Sequence, residues 1–397
     1  MKVVAVESFR VRVPVRPLAE GGVAPYRGSQ DPVGVSAAES LLVAVRTDTG
    51  LTGWGEMNTG FPPRLDTVLV DELLAPLVVG RDPAPIRALV GAVDSPYWPH
   101  LGRPALASAL EMALWDLHGQ RLGQPVSALL GGRIRDRVPV AYCLGITAPE
   151  QAVEVARRVL GDGFRVLKLK IGADLDADLA RVRAVVEATG GRLALRLDAN
   201  QGFDRTTAAR LVDGLAGLPV EYVEQPLPVG DLDGMRALRH RGTVPIAANE
   251  DAYPAGGLAR CLTTGAVDAA VVDLEPAGGL LGLVRSAALA EELHTPLAHH
   301  CGWDLGVKAA AMLQLTSTLP AFRLAADSTY TAHADDVLVQ PLTTVDGAFV
   351  VPDGPGLGVT VDEEKVHRLR ADEATVHFGR VDEARPTPTH NPEETPR

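Results

Sequence analysis

Eight short apolar runs, separated by amphipathic helical stretches, follow one another between residues 138 and 327 of this 397-residue chain. The runs are VPVAYCL (138–144), VLKLKI (166–171), LALRLDAN (193–200), VEYVEQP (220–226), VPIAANE (244–250), AAVVDLE (269–275), TPLAHH (295–300) and AFRLAAD (321–327). Strands that alternate with helices predict an α/β fold with a parallel sheet, because parallel neighbours need long crossover connections. Eight such units are the number that closes a (β/α)8 barrel.

The segments on either side of this pattern have a different character. The first residues read as antiparallel strands interrupted by a Gly- and Pro-rich loop at 19–35, a candidate lid, and are followed by helices. One of these helices is predicted over 105–123, because apolar residues recur at helical spacing until Gly123 and then Pro125. The predicted divisions are an N-terminal region (1–130), the barrel (131–335), a C-terminal segment (336–380) and a disordered, Pro-rich tail (381–397).

Charge and composition exclude several classes of protein. The net charge of −12 argues against binding to nucleic acid or to an anionic membrane through the bulk surface. No stretch approaches the roughly 18 to 20 apolar residues of a membrane span, and the first residues do not resemble a signal peptide. Three widely separated cysteines do not make a disulfide framework. We therefore expect a cytoplasmic protein.

Polar side chains recur at the carboxyl end of one predicted strand after another. From Lys170 onward they are 24 to 28 residues apart, which matches the length of one βα unit in a barrel. Because barrel active sites lie at this face, the register predicts a ring of functional groups there. Its members are Lys168, Lys170, Asp198, Glu224, Asn249, Asp273, His299 or His300, and Asp327.

Three oxygen-bearing side chains from adjacent strands form the predicted metal site. Asp198, Glu224 and Asn249 offer the hard oxygen ligands that suit Mg²⁺. Taken singly, each carboxylate is as readily explained by a helix N-cap or a surface ion pair. Glu250 follows Asn249 and is an additional candidate ligand, although adjacent strand residues face opposite ways.

The remaining members of the ring are candidates for proton transfer. Lys168 and Lys170 are two residues apart, so their side chains share one face of the strand. Neighbouring cations lower the pKa of an ammonium group and prepare it to act as a base, although two solvated lysines at the rim are the alternative. Asp273 and His300 form a predicted dyad in which the carboxylate orients the imidazole. His299 is expected to be a core histidine.

These motifs together resemble the enolase superfamily, in its mandelate racemase/muconate lactonizing enzyme branch. The resemblance runs through TDTGLTGWGE, SALEMALWDLHGQRLGQPVSALLGG, KLKIG, LDANQGF, VEQP, DLEPAGG and VPDGPGLG, and it covers nearly the whole chain. It implies a (β/α)7β barrel with an α+β capping domain built from both chain ends. It also implies Mg²⁺-assisted removal of the proton alpha to a carboxylate of a small anionic substrate, by an enzyme that is commonly a dimer or octamer.

The same resemblance suggests a role for each residue. Lys170 matches one base, Lys168 matches its partner that contacts the substrate carboxylate, and His300 matches the opposite base, with His299 as the fallback. Asp273 stands where cycloisomerases and dipeptide epimerases of the superfamily carry a lysine, so the set resembles mandelate racemase and the acid-sugar dehydratases. Asparagine at 249 resembles glucarate dehydratases. The usual glutamate on the eighth strand has no clear match, and Asp327 is the nearest stand-in.

The function predicted from these residues is dehydration of an acid sugar to a 2-keto-3-deoxy acid. A racemase or epimerase of a 2-hydroxy acid is the alternative, a cycloisomerase is disfavoured by Asp273, and a catalytically inactive barrel that only binds is the remaining class. With Asn249 as a neutral ligand, the formal charge of the site comes to +1 and predicts a dianionic substrate such as an aldaric acid. Substrate contacts are predicted from Asn200 and, in the lid, from Tyr26 and Arg27.

Overall fold

A three-stranded antiparallel sheet begins the fold. The computed structural model describes residues 1–31, 33–58, 67–93 and 104–371, so the predicted tail at 381–397 lies outside the described residues. Strands β1 (Val3–Pro14), β2 (Ala37–Thr47) and β3 (Thr52–Asn58) are hydrogen-bonded in the order β1-β2-β3. This is the antiparallel sheet that the alternation of the first residues predicts.

Helices cover one face of this sheet. A π-helical turn (Val70–Leu74) leads into α1 (Ala75–Val78), α2 (Ile86–Val93), α3 (Pro104–Leu122) and α4 (Val126–Leu129). Helix α3 agrees with the prediction and ends before Gly123, whose φ of +63° suits glycine. Apolar residues around much of α3 are buried, because the helix lies between the sheet and the rest of the molecule.

Close approach of β3 to α3 depends on two glycines. A Cβ atom at Gly53 would lie 2.1 Å from the carbonyl oxygen of Ala113, and one at Gly55 would lie 1.8 Å from that of Ala109. Such short distances are steric clashes that small shifts of the backbone cannot relieve. Any side chain at these positions would therefore push the helix away from the sheet.

We expect Gly55→Ala to lower the free energy of unfolding by about 3 kcal/mol or more, because the added methyl group collides with the backbone of α3. Gly91→Ala is the matched control: it lies in α2, and an added Cβ meets nothing within 4 Å. There we expect stabilisation by about 0.5–1 kcal/mol. Urea unfolding of both variants checks this, and equal stabilities would contradict the close contact between β3 and α3.

Eight parallel strands follow, with helices between them. The strands are β4 (Arg137–Leu144), β5 (Val166–Lys170), β6 (Ala194–Asp198), β7 (Val220–Glu224), β8 (Ile246–Ala248), β9 (Ala269–Val272), β10 (Leu297–His299) and β11 (Ala326–Ser328). Strands β4 to β10 pair in sequence order, each with its neighbour in that series, and β11 pairs with β4. Leu297 exchanges backbone hydrogen bonds with Ala321 and Leu324, just before β11. The arrangement is consistent with a closed barrel.

The connecting helices lie outside these strands. They are α5 (Pro149–Gly161), α6 (Leu175–Thr189), α7 (Arg205–Gly214), α8 (Leu232–His240), α9 (Gly257–Thr263), α10 (Leu274–Ala277), α11 (Leu280–Glu292) and α12 (Gly306–Thr316). Three-residue 3-10 turns are at Leu18–Glu20, Glu250–Ala252 and Tyr330–Ala332. The chain follows β11 with only such a turn, so the last strand has no full helical partner.

The C-terminal segment returns to both parts of the molecule. Strands β12 (Thr344–Val345) and β13 (Ala348–Val350) form a hairpin, and β13 is antiparallel to β4. Helix α13 (Glu363–Arg368) then brings the chain to β1, where Arg12 donates its backbone N–H to Leu369 and Ala371 donates to Arg10. Within the described ranges, none of the helices has the length and apolar character that crossing a membrane requires.

Candidate active site

Functional side chains gather at the carboxyl ends of the parallel strands. Lys168 and Lys170 lie on β5, while Asp198 and Glu224 are the last residues of β6 and β7. The register sets Lys170 opposite Asp198, and Asp198 opposite Glu224. Parallel pairing therefore places the two predicted carboxylate ligands and the predicted lysine base side by side.

Lys168 is a buried cation held by three carboxylates. Its Nζ lies 3.0 Å from Asp198 Oδ2, 2.8 Å from Glu224 Oε2 and 2.8 Å from Asp327 Oδ2. Burial alone would lower the pKa of this ammonium group, but Asp198, Asp327 and Glu224 raise it well above its usual value. In the surroundings of the described residues Lys168 is therefore a cation paired with carboxylates, a state suited to neutralise an anion.

Lys170 is in a more open position. Its Nζ lies 2.7 Å from Asp198 Oδ2 and donates a second hydrogen bond to Asn200 Oδ1. The side chain is 14% exposed, against 3% for Lys168, and it faces the cavity described below. Of the two lysines, Lys170 has the access that exchange of a proton with a substrate requires.

Asn249 and Glu250 occupy the turn after β8 and have different surroundings. The Asn249 amide nitrogen donates to Val271 O at 3.0 Å and to the Tyr253 hydroxyl at 2.8 Å, which leaves only Oδ1 as a candidate ligand. Glu250 lines the cavity, and its Oε1 accepts a hydrogen bond from Asn200 Nδ2 at 3.1 Å. Within the described residues, its buried Oε2 has no hydrogen-bond partner.

The predicted dyad forms between the ends of β9 and β10. Asp273 Oδ2 lies 3.1 Å from His300 Nδ1, and this nitrogen must donate, because an ionised carboxylate only accepts. Burial would raise the pKa of Asp273, but the Lys308 ammonium and the His300 hydrogen bond bring it well below its usual value. The other ring nitrogen of His300 is therefore left available for proton transfer.

His299 has the surroundings of a core residue. It is 1% exposed, and its ring lies 6.5 Å from that of Phe322. Burial lowers the pKa of His299, so the neutral ring is favoured. Among the described residues that line the cavity, His300 is present and His299 is not.

Asp327 enters the site from the eighth strand. Its Oδ2 meets Lys168, and its Oδ1 accepts a 2.7 Å hydrogen bond from Arg196 Nη1. Burial would raise the pKa of Asp327, but Lys168 and Arg196 lower it. The structure thus brings Asp327 to the position where the resemblance expects an acidic group, as a carboxylate already paired with two cations.

A cavity of about 610 Å³ opens above these groups, between the strand ends and the N-terminal region. Tyr26 lines the cavity, is 8% exposed, and contacts Trp303 edge to face with ring centroids 4.9 Å apart. Ser29 Oγ donates to Ala199 O at 2.8 Å, so the predicted lid loop lies against the barrel. Arg27 is exposed and does not line the cavity. Other lining residues are Gln30, Asp31, Glu39, Asn58, Cys143, Asn200, Gln201, Glu275, Cys301 and Thr329.

Sequence reasoning missed three charged residues of this region. Arg196 lies two residues before Asp198 and therefore shares its face of β6, a signal of the kind that identified the two lysines. Lys308 lies within the apolar helix GVKAAAMLQL, where a lone lysine needs buried partners. Glu275 follows Asp273 by two residues and lines the cavity. Each signal is present in the sequence but does not by itself indicate a partner.

The acidic residues are suited to a divalent cation by their chemistry. Carboxylate oxygens are ligands that Mg²⁺ prefers. Glu250 Oε2 is a buried carboxylate oxygen without a hydrogen-bond partner among the described residues. Glu224 has a raised pKa because it is buried beside Asp198, a condition that a bound cation relieves. Among the described residues no group of three His, Cys, Asp or Glu side chains is already spaced as a metal site. Instead, the Lys168 ammonium lies between Asp198 and Glu224.

Two family models match the chain. Residues 24–131 match the N-terminal domain of the mandelate racemase/muconate lactonizing enzyme family, and residues 151–365 match the enolase C-terminal domain-like family. The two matches fall on the antiparallel sheet with its helices and on the barrel with the hairpin and helix that follow it.

Individual relatives agree with these matches over most of the chain. D-galactarolactone cycloisomerase of Agrobacterium fabrum is 31% identical over 83% of this chain and 91% of that enzyme. L-Ala-D/L-Glu epimerase of Bacillus subtilis is 30% identical over 90% and 97%, respectively. The structure of muconate lactonizing enzyme from Pseudomonas fluorescens with muconolactone is similar with a TM-score of 0.85, at 28% identity, over 93% of this chain and 99% of that one.

Proposed function

This chain belongs to the mandelate racemase/muconate lactonizing enzyme family of the enolase superfamily, and on that basis we propose that it is an isomerase of a 2-hydroxy carboxylic acid, or of a lactone that keeps a free carboxylate. In the proposed reaction, Lys170 and His300 act on the alpha carbon from opposite faces. Enzymes of this superfamily remove the proton alpha to a carboxylate, and membership implies a divalent metal ion.

The relatives support isomerisation rather than the predicted dehydration. Those reported above are a cycloisomerase, an epimerase and a lactonizing enzyme. The expected likeness to acid-sugar dehydratases is not confirmed by them, whereas the alternative of a racemase or epimerase agrees with their chemistry. Asp273 with His300 sets the chain apart from the pattern expected of cycloisomerases and dipeptide epimerases, which have a lysine on the sixth strand.

The observation that carries the proposal is the position of the two bases. Lys170 is on β5 and His300 follows β10, so the two groups approach one cavity from distant strands of the barrel. Each is held by its own carboxylate, Lys170 by Asp198 and His300 by Asp273. Two independently supported groups on one cavity allow a proton to leave from one face and return to the other, which inverts the carbon.

The other residues have supporting roles in this proposal. Lys168, whose ammonium group lies against Asp198, Glu224 and Asp327, neutralises the substrate carboxylate. Asp198, Glu224 and Glu250 would hold Mg²⁺; when bound, the metal stabilises negative charge that develops on the substrate carboxylate. We favour Glu250 over Asn249 as the third ligand because it faces the cavity with an unpartnered carboxylate oxygen. Because the three carboxylates are not spaced as a metal site within the described residues, the Glu250 side chain would turn toward Asp198 and Glu224 when the metal binds.

This ligand choice also changes the expected substrate. The preference for a dianion depended on a neutral Asn249 and an excess of positive charge. Among the described lining residues, Glu39, Glu275 and Asp327 are each paired with a cation, whereas Asp31 and Glu250 add carboxylates outside the described ion pairs. Because Asp31 and Glu250 repel a second carboxylate, we propose a monocarboxylate with hydroxyl groups or a lactone ring, and not an aldaric acid.

The test is exchange of the alpha proton with solvent. The protein with Mg²⁺ is incubated in D2O with epimeric pairs of 2-hydroxy acids and of lactones that carry a free carboxylate, and proton NMR follows each alpha position. We expect deuterium incorporation together with formation of the other epimer, both abolished by EDTA. Formation of a 2-keto-3-deoxy acid would instead support the dehydratase. If no compound exchanges even with metal, the isomerase proposal fails.

A further inference from the structure

Lys308 is a fully buried cation next to the dyad. It lies in the first turn of α12 and has an exposed fraction of 0%, within a helix whose neighbouring residues are almost all apolar. Removing an ammonium group from water is costly unless acidic groups surround it. Burial of this charge therefore carries a desolvation free energy that other interactions must offset.

Three carboxylates surround the Lys308 ammonium group. Its Nζ lies 2.7 Å from Glu275 Oε1, 2.9 Å from Asp304 Oδ1 and 3.0 Å from Asp273 Oδ1. The start of the helix is itself fixed, because Glu56 accepts the backbone N–H groups of Leu305 at 2.7 Å and Lys308 at 2.8 Å. The position of the ammonium group is thus set by the backbone as well as by its partners.

Asp273 contacts both Lys308 and His300. Its Oδ1 lies 3.0 Å from the ammonium group and accepts the backbone N–H of Glu275 at 3.2 Å. Its Oδ2 lies 3.1 Å from His300 Nδ1 and 3.3 Å from Lys308 Nζ. A carboxylate held at one oxygen cannot rotate without breaking that ion pair, so the direction of the other oxygen is also fixed. Lys308, together with the backbone N–H of Glu275, therefore fixes where Asp273 holds the imidazole.

The three acidic partners of Lys308 are not equivalent. Burial raises the pKa of Glu275 to about 7 against the opposing effect of Lys308, whereas the pKa of Asp273 falls well below its usual value. Asp273 is thus the partner that the ammonium group helps keep ionised. Glu275 Oε1 also accepts the backbone N–H of Asn58 at 2.9 Å, which links the cluster to β3.

We infer that Lys308 is a positioning residue that acts through Asp273 to hold His300 in place for proton transfer. The inference rests on the proposed function, because it assigns Lys308 to only one of the two faces of the substrate. Lys170 has a different support, Asp198 and Asn200, and none of the described contacts of Lys308 reaches that group. Loss of Lys308 should therefore impair one direction of exchange and spare the other.

The variant for this test is Lys308→Met combined with Glu275→Gln, which reduces the number of carboxylates left without a cation. Glu275→Gln alone is the matched control. We expect exchange at the face served by His300 to fall about 10–100-fold relative to the control, by analogy with the loss of a partner that orients a metal-ligating side chain. Exchange at the face served by Lys170 should change less than about 3-fold.

A second measurement does not depend on turnover. The downfield proton NMR signal of the His300 Nδ1–H is recorded in the wild type and in both variants, with His300→Asn used for its assignment. We expect this signal to shift or broaden only when Lys308 is absent. Equal losses at both faces, or an unchanged ring signal in the folded double variant, would overturn the inference. If the ring signal changes but the wild type exchanges no substrate, the proposed function fails instead.

Discussion

In the Lys170→Met variant, the alpha proton of one epimer stops exchanging with solvent, while that of the other epimer continues to exchange. We expect a loss of at least about 10³-fold at the affected face, within the contribution of a positioned acid–base group. His300→Asn should give the reverse pattern. The physical reason is that the two groups approach one cavity from distant strands and have separate carboxylate supports. Deuterium incorporation into each epimer, followed by proton NMR, measures both rates.

The control for this pair is Lys365→Met. This lysine is on α13, lies 4.0 Å from Asp335, and is not among the residues lining the cavity. Both exchange rates should be retained in this variant. If Lys170→Met and His300→Asn each abolish exchange of both epimers to the same extent, the assignment of one base to each face is contradicted. Full retention in His300→Asn would transfer the role to another group.

A second large effect is expected at the metal site. Glu250→Gln should weaken Mg²⁺ binding about 100-fold, because the substitution removes a charge from a carboxylate that faces the cavity. Glutamine keeps an oxygen that accepts the hydrogen bond from Asn200 Nδ2, so the local fold should persist. Calorimetric titration with Mg²⁺ gives the affinity, and the exchange rate as a function of Mg²⁺ concentration gives its consequence for turnover.

Asn249→Ser provides the comparison for this prediction. Loss of the Asn249 side-chain amide should lower the free energy of unfolding, because this amide donates hydrogen bonds to Val271 O and to the Tyr253 hydroxyl. Mg²⁺ affinity in the folded variant should stay within about 5-fold of the wild type, since the carboxylate ligands remain. A larger loss of affinity in Asn249→Ser than in Glu250→Gln would make Asn249 the third ligand, as the strand register alone suggests.

Regular spacing explains which residues of the site could be predicted from the sequence. Lys168, Lys170, Asp198 and Glu224 lie within strands, where alternation and the repeat length determine both face and height. The same rule correctly separates Lys168 and Lys170 from Leu169, which is buried on the other side of β5.

Alternation stops being informative where a strand ends. Strand β8 ends at Ala248, Asn249 has φ −127° and ψ −78°, and Glu250 begins a 3-10 turn. The assumption that Glu250 faces away from Asn249's site holds only within a strand, so the sequence did not reveal that Glu250 lines the cavity. The lid loop has no periodic pattern of apolar residues. The sequence therefore did not show that Tyr26 lines the cavity and Arg27 does not.

Ion pairs between residues far apart in the sequence could also not be predicted. Lys308 and Asp273 are 35 residues apart, and their contact depends on how α12 is placed against the end of β9. Apolar periodicity predicts the helix but not which acidic groups its single lysine meets. Arg196 meets Asp327 across the barrel in the same way, at a sequence separation of 131.

The closing contact between the two ends of the described chain has a consequence for biosynthesis. Strand β1 is an edge of its sheet, and its backbone groups at Arg10 and Arg12 are paired with Ala371 and Leu369. The strand precedes the barrel in the sequence and residues 369–371 follow the barrel, so the whole barrel is synthesised while that edge is still open. During this interval the edge is available for pairing with a neighbouring nascent chain. Assembly of the enzyme therefore depends on the barrel bringing residues 369–371 back before such pairing occurs.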